Sequence, residues 1–188
     1  MADTQRNKAA LAALFADNTT GDISPQDLRD FLETMHPGFG SFYISTPAAT
    51  SITDSTNYFK CAGTTTDISL HRFDGKTALT VDNRLKYTGS TDVHIHGAVT
   101  VSFSVASGTN KVLEFDVYHY DDSAASGAVI GSSKVVVNAA STSVQSTALH
   151  FDLTLSQNDY LELHVKNTTD TTNVQVDAMY FFILTMMV

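Results

Sequence analysis

The sequence predicts a mainly β protein: an antiparallel jelly-roll β-sandwich preceded by a short helical segment. Three observations carry this. Beyond Gly40, apolar and polar residues alternate with the two-residue period of half-buried strands. Turn-forming clusters punctuate the alternation: "SGTN", "DDSAASG", "SQND" and "NTTDTTN". No helical pattern separates the strands, so they connect as antiparallel neighbours, and a closed sandwich limits the edges such strands expose. The 188 residues are enough for one domain with a core and a modest appendage. We divide them into a helical attachment segment, 1–40, and a β-sandwich domain, 41–188.

In the first segment, Leu11, Leu14 and Phe15 recur at helical spacing, which predicts a helix over about 5–16. "DNTTGD" breaks it. A second helix starts in "SPQDLRDFLETM", where Ser24 is an N-cap, Pro25 occupies the first helical position and Asp27 completes a capping-box spacing. Pro37 and Gly38 end it. Leu28, Phe31, Leu32 and Met35 form its apolar face. A helix this short needs a partner. That partner is either the first helix, or a neighbouring subunit or larger assembly, which makes these four residues a candidate docking face. "DNTTGDISPQDL" is not a calcium loop, because Asp22 stands where glycine is required and Leu28 where an acid is required.

The strands follow in order. "SFYIST", "YFKCAG", "DISLHRF", "TALTV" and "RLKYTG" are the shorter candidates. "GAVTVSFSVAS" places Val99, Val101, Phe103 and Val105 on one face, and "KVLEFDVYHYD" turns Leu113, Phe115 and Val117 inward. "GSSKVVVN" follows. "STALHFDLTLS" and "DYLELHVKN" carry apolar rows Phe151/Leu153/Leu155 and Leu161/Leu163/Val165. With the tail, the total is about eight to ten strands.

Composition excludes several functions. A net charge of −9 without a Lys/Arg cluster opposes nucleic-acid binding. The single cysteine, Cys61, has no intrachain disulfide partner and no basic neighbour to activate it, so it is expected to be a small buried hydrophobe. Neither "RNKAALAALFADN" nor the apolar run Met179–Val188 meets the requirements of a signal peptide or a bilayer span. No nucleophile elbow, phosphate loop or HExxH is present, and no cofactor is expected. Asp121 and Asp122 in "YDDS" are expected to be solvated turn residues rather than a glycosidase pair. The one constellation worth testing for metal is "HIHG". His94 and His96 stand two apart on a strand, so both imidazoles point to one face.

"HGAVTVSFSVASGTNKVLEFDVYHYDD", "SSKVVV" and "LSQNDYLELHVKNTTDTTNVQVDAMYFFIL" resemble the jelly rolls of the tumour-necrosis-factor-like and complement-globular-head type. They resemble more closely the versions of that domain in bacteriophage fibre and head-decoration proteins. In "QNDYLELHVKNTT", Asn158 stands where those domains carry glycine. Asparagine is the other residue that readily takes positive φ. "LAALFADNTTGDISPQDLRDFLETM" is similar to N-terminal segments of phage tail, fibre and baseplate-associated proteins. The resemblance implies a non-enzymatic homotrimer located on a virion. It would act as capsid decoration, head fibre or short tail fibre, joined to other virion proteins through the N-terminal segment. A host-surface glycan or receptor is a further partner, with "DDSAASG" and "STDVH" as contact loops. The alternatives are a cupin-like metal enzyme using His94 and His96, and a carbohydrate-binding jelly roll.

The tail, "VQVDAMYFFILTMMV", divides by parity. Val174, Val176, Ala178, Tyr180, Phe182, Leu184 and Met186 form one apolar row, expected to fill the core. The other row starts polar and becomes apolar after Asp177. In a trimer of jelly rolls its large members, Met179, Phe181, Ile183 and Met187, are expected to meet sister copies at the three-fold interface. The competing expectation is a strand covered on both faces within one chain.

Overall fold

Ser24, Pro25 and Asp27 start the helix as their chemistry dictates. The computed structural model describes residues 23–139 and 142–186, together with Arg6, Ala9, Ala10 and Ala13. Helix α1 is Pro25–Met35, and Ser24 and Asp27 cap it reciprocally. The Asp27 N–H donates to the Ser24 hydroxyl at 3.1 Å, and the Ser24 N–H donates to the Asp27 carboxylate at 2.9 Å. The expected helix at 5–16 lies mostly outside the described residues.

Twelve strands and one further short helix make up the rest of the described chain. They are β1 (Phe39–Thr50), β2 (Phe59–Lys60), β3 (Gly63–His71), β4 (Phe73–Asp74), α2 (Lys76–Leu79), β5 (Leu85–Tyr87) and β6 (Val93–Val105). Then come β7 (Lys111–Asp121), β8 (Ser126–Val129), β9 (Val135–Ala139), β10 (Gln145–Leu155), β11 (Tyr160–Asn167) and β12 (Val174–Met186). One sheet has the order β10-β6-β12-β1-β3. The other has the order β4-β5-β11-β7-β8, with β2 also on β11 and β9 also on β7. All pairings are antiparallel. This is a jelly-roll sandwich.

The inward rows expected for β6, β7 and β11 are buried, and Phe103 meets Phe115 across the two sheets at 4.8 Å. Two expectations fail locally. "TALTV" forms α2 instead of a strand, because the Asp67 carboxylate accepts the Lys76 and Thr77 N–H groups and caps a helical turn there. "DDSAASG" is not all turn, since its last two residues open β8.

The larger correction concerns β12. Val176 pairs with Phe103, but Ala178 pairs with Ser102, so Asp177 is an extra residue, a β-bulge. The bulge exchanges the two faces of the strand. Val174 and Val176 face the core as expected, but beyond the bulge the buried residues are Met179, Phe181 and Ile183, the last two with no exposed surface. Phe181 stacks on Phe42 at 5.3 Å and meets the Phe151 ring edge-on at 5.8 Å. Met179, Phe181 and Ile183 are therefore core residues of their own chain, not interface residues. Met187 lies outside the described residues.

Candidate self-association face

The bulge leaves an apolar row on the outer face of the five-stranded sheet. Tyr180 is 42% exposed, Leu184 and Met186 38% each, and Tyr43 41%. Phe182 and Phe39 are half-buried in the same array. Register makes the row continuous. Tyr43 pairs with Tyr180, and Phe39 pairs with Leu184. Beside Tyr43 and Tyr180 the sheet carries small residues, Thr100, Ser102, Ser146 and Ala148, and these make the floor of a groove of about 650 Å³. Covering the remaining exposed surface of those four large side chains is worth roughly 0.6–1.2 kcal/mol each, or about 2–5 kcal/mol per protomer. Association costs about 4–15 kcal/mol, so this row needs further buried surface to sustain a stable assembly.

The expected metal pair lies on this same face. His94 and His96 occupy neighbouring outward positions of β6, paired with Thr154 and Asp152 of β10. The His96 Nδ1 lies 2.8 Å from the Asp152 carboxylate, and its ring stacks on that of His150 at 6.0 Å. His94 approaches the Thr154 hydroxyl at 3.5 Å. Among the described residues, no group of three or more His, Cys, Asp or Glu is arranged to hold a metal ion. The structure thus brings His94, His96, His150 and Asp152 together as a polar margin to the apolar row.

The outer face of the other sheet is built differently. Glu162 is buried there, accepting from Lys60 Nζ and Arg84 Nε at 2.7 Å each and lying 3.0 Å from His164 Nε2. Burial alone would raise its pKa. The hydrogen bonds from His164 and Lys60 and the charges of Lys60 and Arg84 overcome that, and hold it at about 2. The Arg84 guanidinium lies 3.7 Å over the Tyr160 ring, Tyr160 stacks on Tyr120, and Tyr118 stacks on His164. The polar and aromatic groups of this face satisfy one another. The β12 face offers an unpaired apolar row instead, and for that reason it is the candidate site.

A second apolar row lies on α1. Leu28 is 52% exposed, Leu32 60% and Met35 44%, while Phe31 is half-buried. The helix joins the sandwich through its polar side. Arg72 donates to the Glu33 carbonyl and to its carboxylate, and the His36 and His71 rings meet edge-on at 4.6 Å. The Gly38 N–H donates to the Thr185 hydroxyl at 2.7 Å, and the Thr185 N–H donates to the Gly38 carbonyl at 2.8 Å. The exit of α1 is thereby pinned beside Leu184 and Met186.

The remaining candidates have structural roles. Cys61 is buried, and burial pushes its thiol pKa far up, away from nucleophilic chemistry. Asp121 accepts from the Ser123 hydroxyl and the Ala124 N–H, as a turn residue does. Asn167 is buried and holds its own turn by donating to Asp170 and to the Thr172 carbonyl. Asn158 has φ 74°, the left-handed conformation its glycine-like position requires. The loops "DDSAASG" and "STDVH" lie at one end of the sandwich. The Tyr87 N–H donates to the Asp159 carbonyl, the Asp122 N–H donates to the Asp159 carboxylate, and Val93 pairs with Leu155. Both loops therefore sit at the pole where β1 begins, alongside α1. Among the described residues no helix is long and apolar enough to cross a membrane.

No protein-family model matches this sequence, and no curated protein matches it. Solved structures do match in shape. Murine APRIL at pH 5.0 superposes with a TM-score of 0.53 at 4% identity, covering 80% of this chain and 100% of that one. The Eiger TNF from S. frugiperda superposes with a TM-score of 0.54 at 10% identity, covering 80% of this chain and 94% of that one. At these identities the likeness is one of fold. The domain is a TNF-like jelly roll.

Proposed function

We propose that this chain is a non-enzymatic structural protein of a bacteriophage particle, a homotrimer that acts as capsid decoration, head fibre or short tail fibre. The observation that carries the trimer is the outward row Tyr43, Tyr180, Phe182, Leu184 and Met186. A lone protomer leaves it against water, and sister copies packed side by side cover it. The TNF-like fold supports this arrangement. The phage assignment and the virion location rest on the sequence resemblance of "QNDYLELHVKNTT" and of the N-terminal segment. In this reading the segment 1–40 faces the particle. The pole opposite α1, with the loops at 106–110 and 168–173, faces outward and is the place for any host glycan or receptor contact.

Light scattering of the purified protein tests the assembly, with a mass three times 20.3 kDa expected. A monomer at micromolar concentration would defeat it. Mass spectrometry of purified particles tests the location.

A further inference from the structure

We infer that α1 is a conditional helix. One side chain of the sandwich, Arg72, docks it and completes its C-terminus, so the segment is a folded helix with that latch closed and an unfolded arm with it open. The inference does not depend on the oligomeric state.

The helix is incomplete by itself. It has eleven residues, a length that is marginal for an isolated helix in water. The capping box of Ser24 and Asp27 finishes its N-terminus from within, but its last turn holds no basic residue. The last four carbonyls of a helix lack partners along the helix, and that end carries partial negative charge. Arg72 supplies what is missing. It donates to the Glu33 carbonyl, in the last turn, and to the Glu33 carboxylate at 3.2 Å. His71 adds a contact just past the helix, with its Nδ1 3.1 Å from the Pro37 carbonyl. Apolar burial does not replace these bonds. Asp30 is the buried residue of α1, and its partners Arg6 and Gln26 belong to the same N-terminal segment.

Arg72 is placed at a cost to the sandwich. It sits at φ 61°, a conformation that residues with a side chain disfavour. Its side chain is only 8% exposed, and its Nε is buried without a hydrogen-bond partner. Among the described residues its side chain bonds to Glu33 and to no group of the sandwich. A residue that served the sandwich would bond within it. The route of the chain is adapted to this contact. A Cβ at Gly38 would lie 2.9 Å from Thr185 Cγ2 and 3.4 Å from Arg72 Cβ, so the segment leaving α1 passes closely over Arg72.

The test is amide hydrogen exchange of the full chain, read by mass spectrometry of its peptides. In the wild type the amides of Leu28 to His36 should be protected. Arg72→Ala should lower that protection by about ten-fold or more and leave β3 and β11 unchanged. Arg72→Gly relieves the positive φ as well, so its sandwich should fold at least as readily, and it should show the same loss confined to α1. If α1 stays as protected in both variants as in the wild type, it stands without Arg72 and the inference is wrong. It is equally wrong if β3 and β11 lose protection together with α1, because Arg72 then supports the sandwich. Wild-type α1 amides that exchange as fast as an unfolded chain would show that the latch does not close.

Discussion

Replacing Phe181 by alanine separates the two possible faces of β12. With the bulge at Asp177, Phe181 has no exposed surface and lies between the rings of Phe42 and Phe151. Phe181→Ala removes its ring from the centre of that aromatic cluster, and cavities of this kind cost about 3–5 kcal/mol. For a domain of this size that corresponds to a Tm lower by about 6–20 °C. The loss is within one chain, so it should be the same at every protein concentration. Leu184→Ser on the other face should behave in the opposite way. It should cost at most about 1 kcal/mol of intrinsic stability, while lowering Tm at a given protein concentration and flattening its rise with concentration as the assembly loosens. Urea denaturation across a hundred-fold dilution series, with light scattering at each point, measures both effects. If Phe181→Ala shifts the mass and leaves the unfolding midpoint of the dissociated chain unchanged, the bulge is misplaced and the argument for the Tyr180–Met186 face collapses.

Other perturbations have equally definite outcomes. Asn83 sits at φ 50° and bridges the Cys61 carbonyl with both the carbonyl and the N–H of Leu163, so Asn83→Ala should lose about 2–4 kcal/mol in urea denaturation. Asn158→Gly should be neutral to within about 0.5 kcal/mol, whereas Asn158→Val should cost about 1–2 kcal/mol by forcing a β-branched residue to positive φ. Glu162 has a folded pKa near 2 against an ordinary value of 4.5. Its contribution is therefore complete above about pH 4.5 and is lost as the pH falls towards 2. Glu162→Gln should flatten the stability profile across that window, and an unchanged slope would show that other carboxylates control acid unfolding. Metal analysis of untagged protein addresses His94 and His96. A stoichiometric transition metal whose removal abolishes the assembly would replace the non-enzymatic reading with one built on that pair.

Strands that carry one apolar and one polar row were legible. Val99 to Val105 and Leu161 to Val165 alternate cleanly with polar residues, and their inward sides could be named from period two alone. The tail defeated the same rule because both of its rows are apolar after Ala178, so alternation carries no information about which row is inside. Asp177 was the available clue. A charged residue at the point where polar alternation stops marks the place where an unpaired residue is tolerated, and one inserted residue reverses every position after it. The α2 turn was hidden for a different reason. Its cap, Asp67, is remote in sequence, and β propensity in "TALTV" yielded to a tertiary hydrogen bond. The ion cluster around Glu162 was illegible because it gathers Lys60, Arg84 and His164 from three separate segments.

The pairing of β1 with β12, closed by Gly38 and Thr185, has a mechanical consequence. A tether pulling on the chain just ahead of Phe39 against one pulling beyond Met186 would peel these two strands apart rung by rung, at low force.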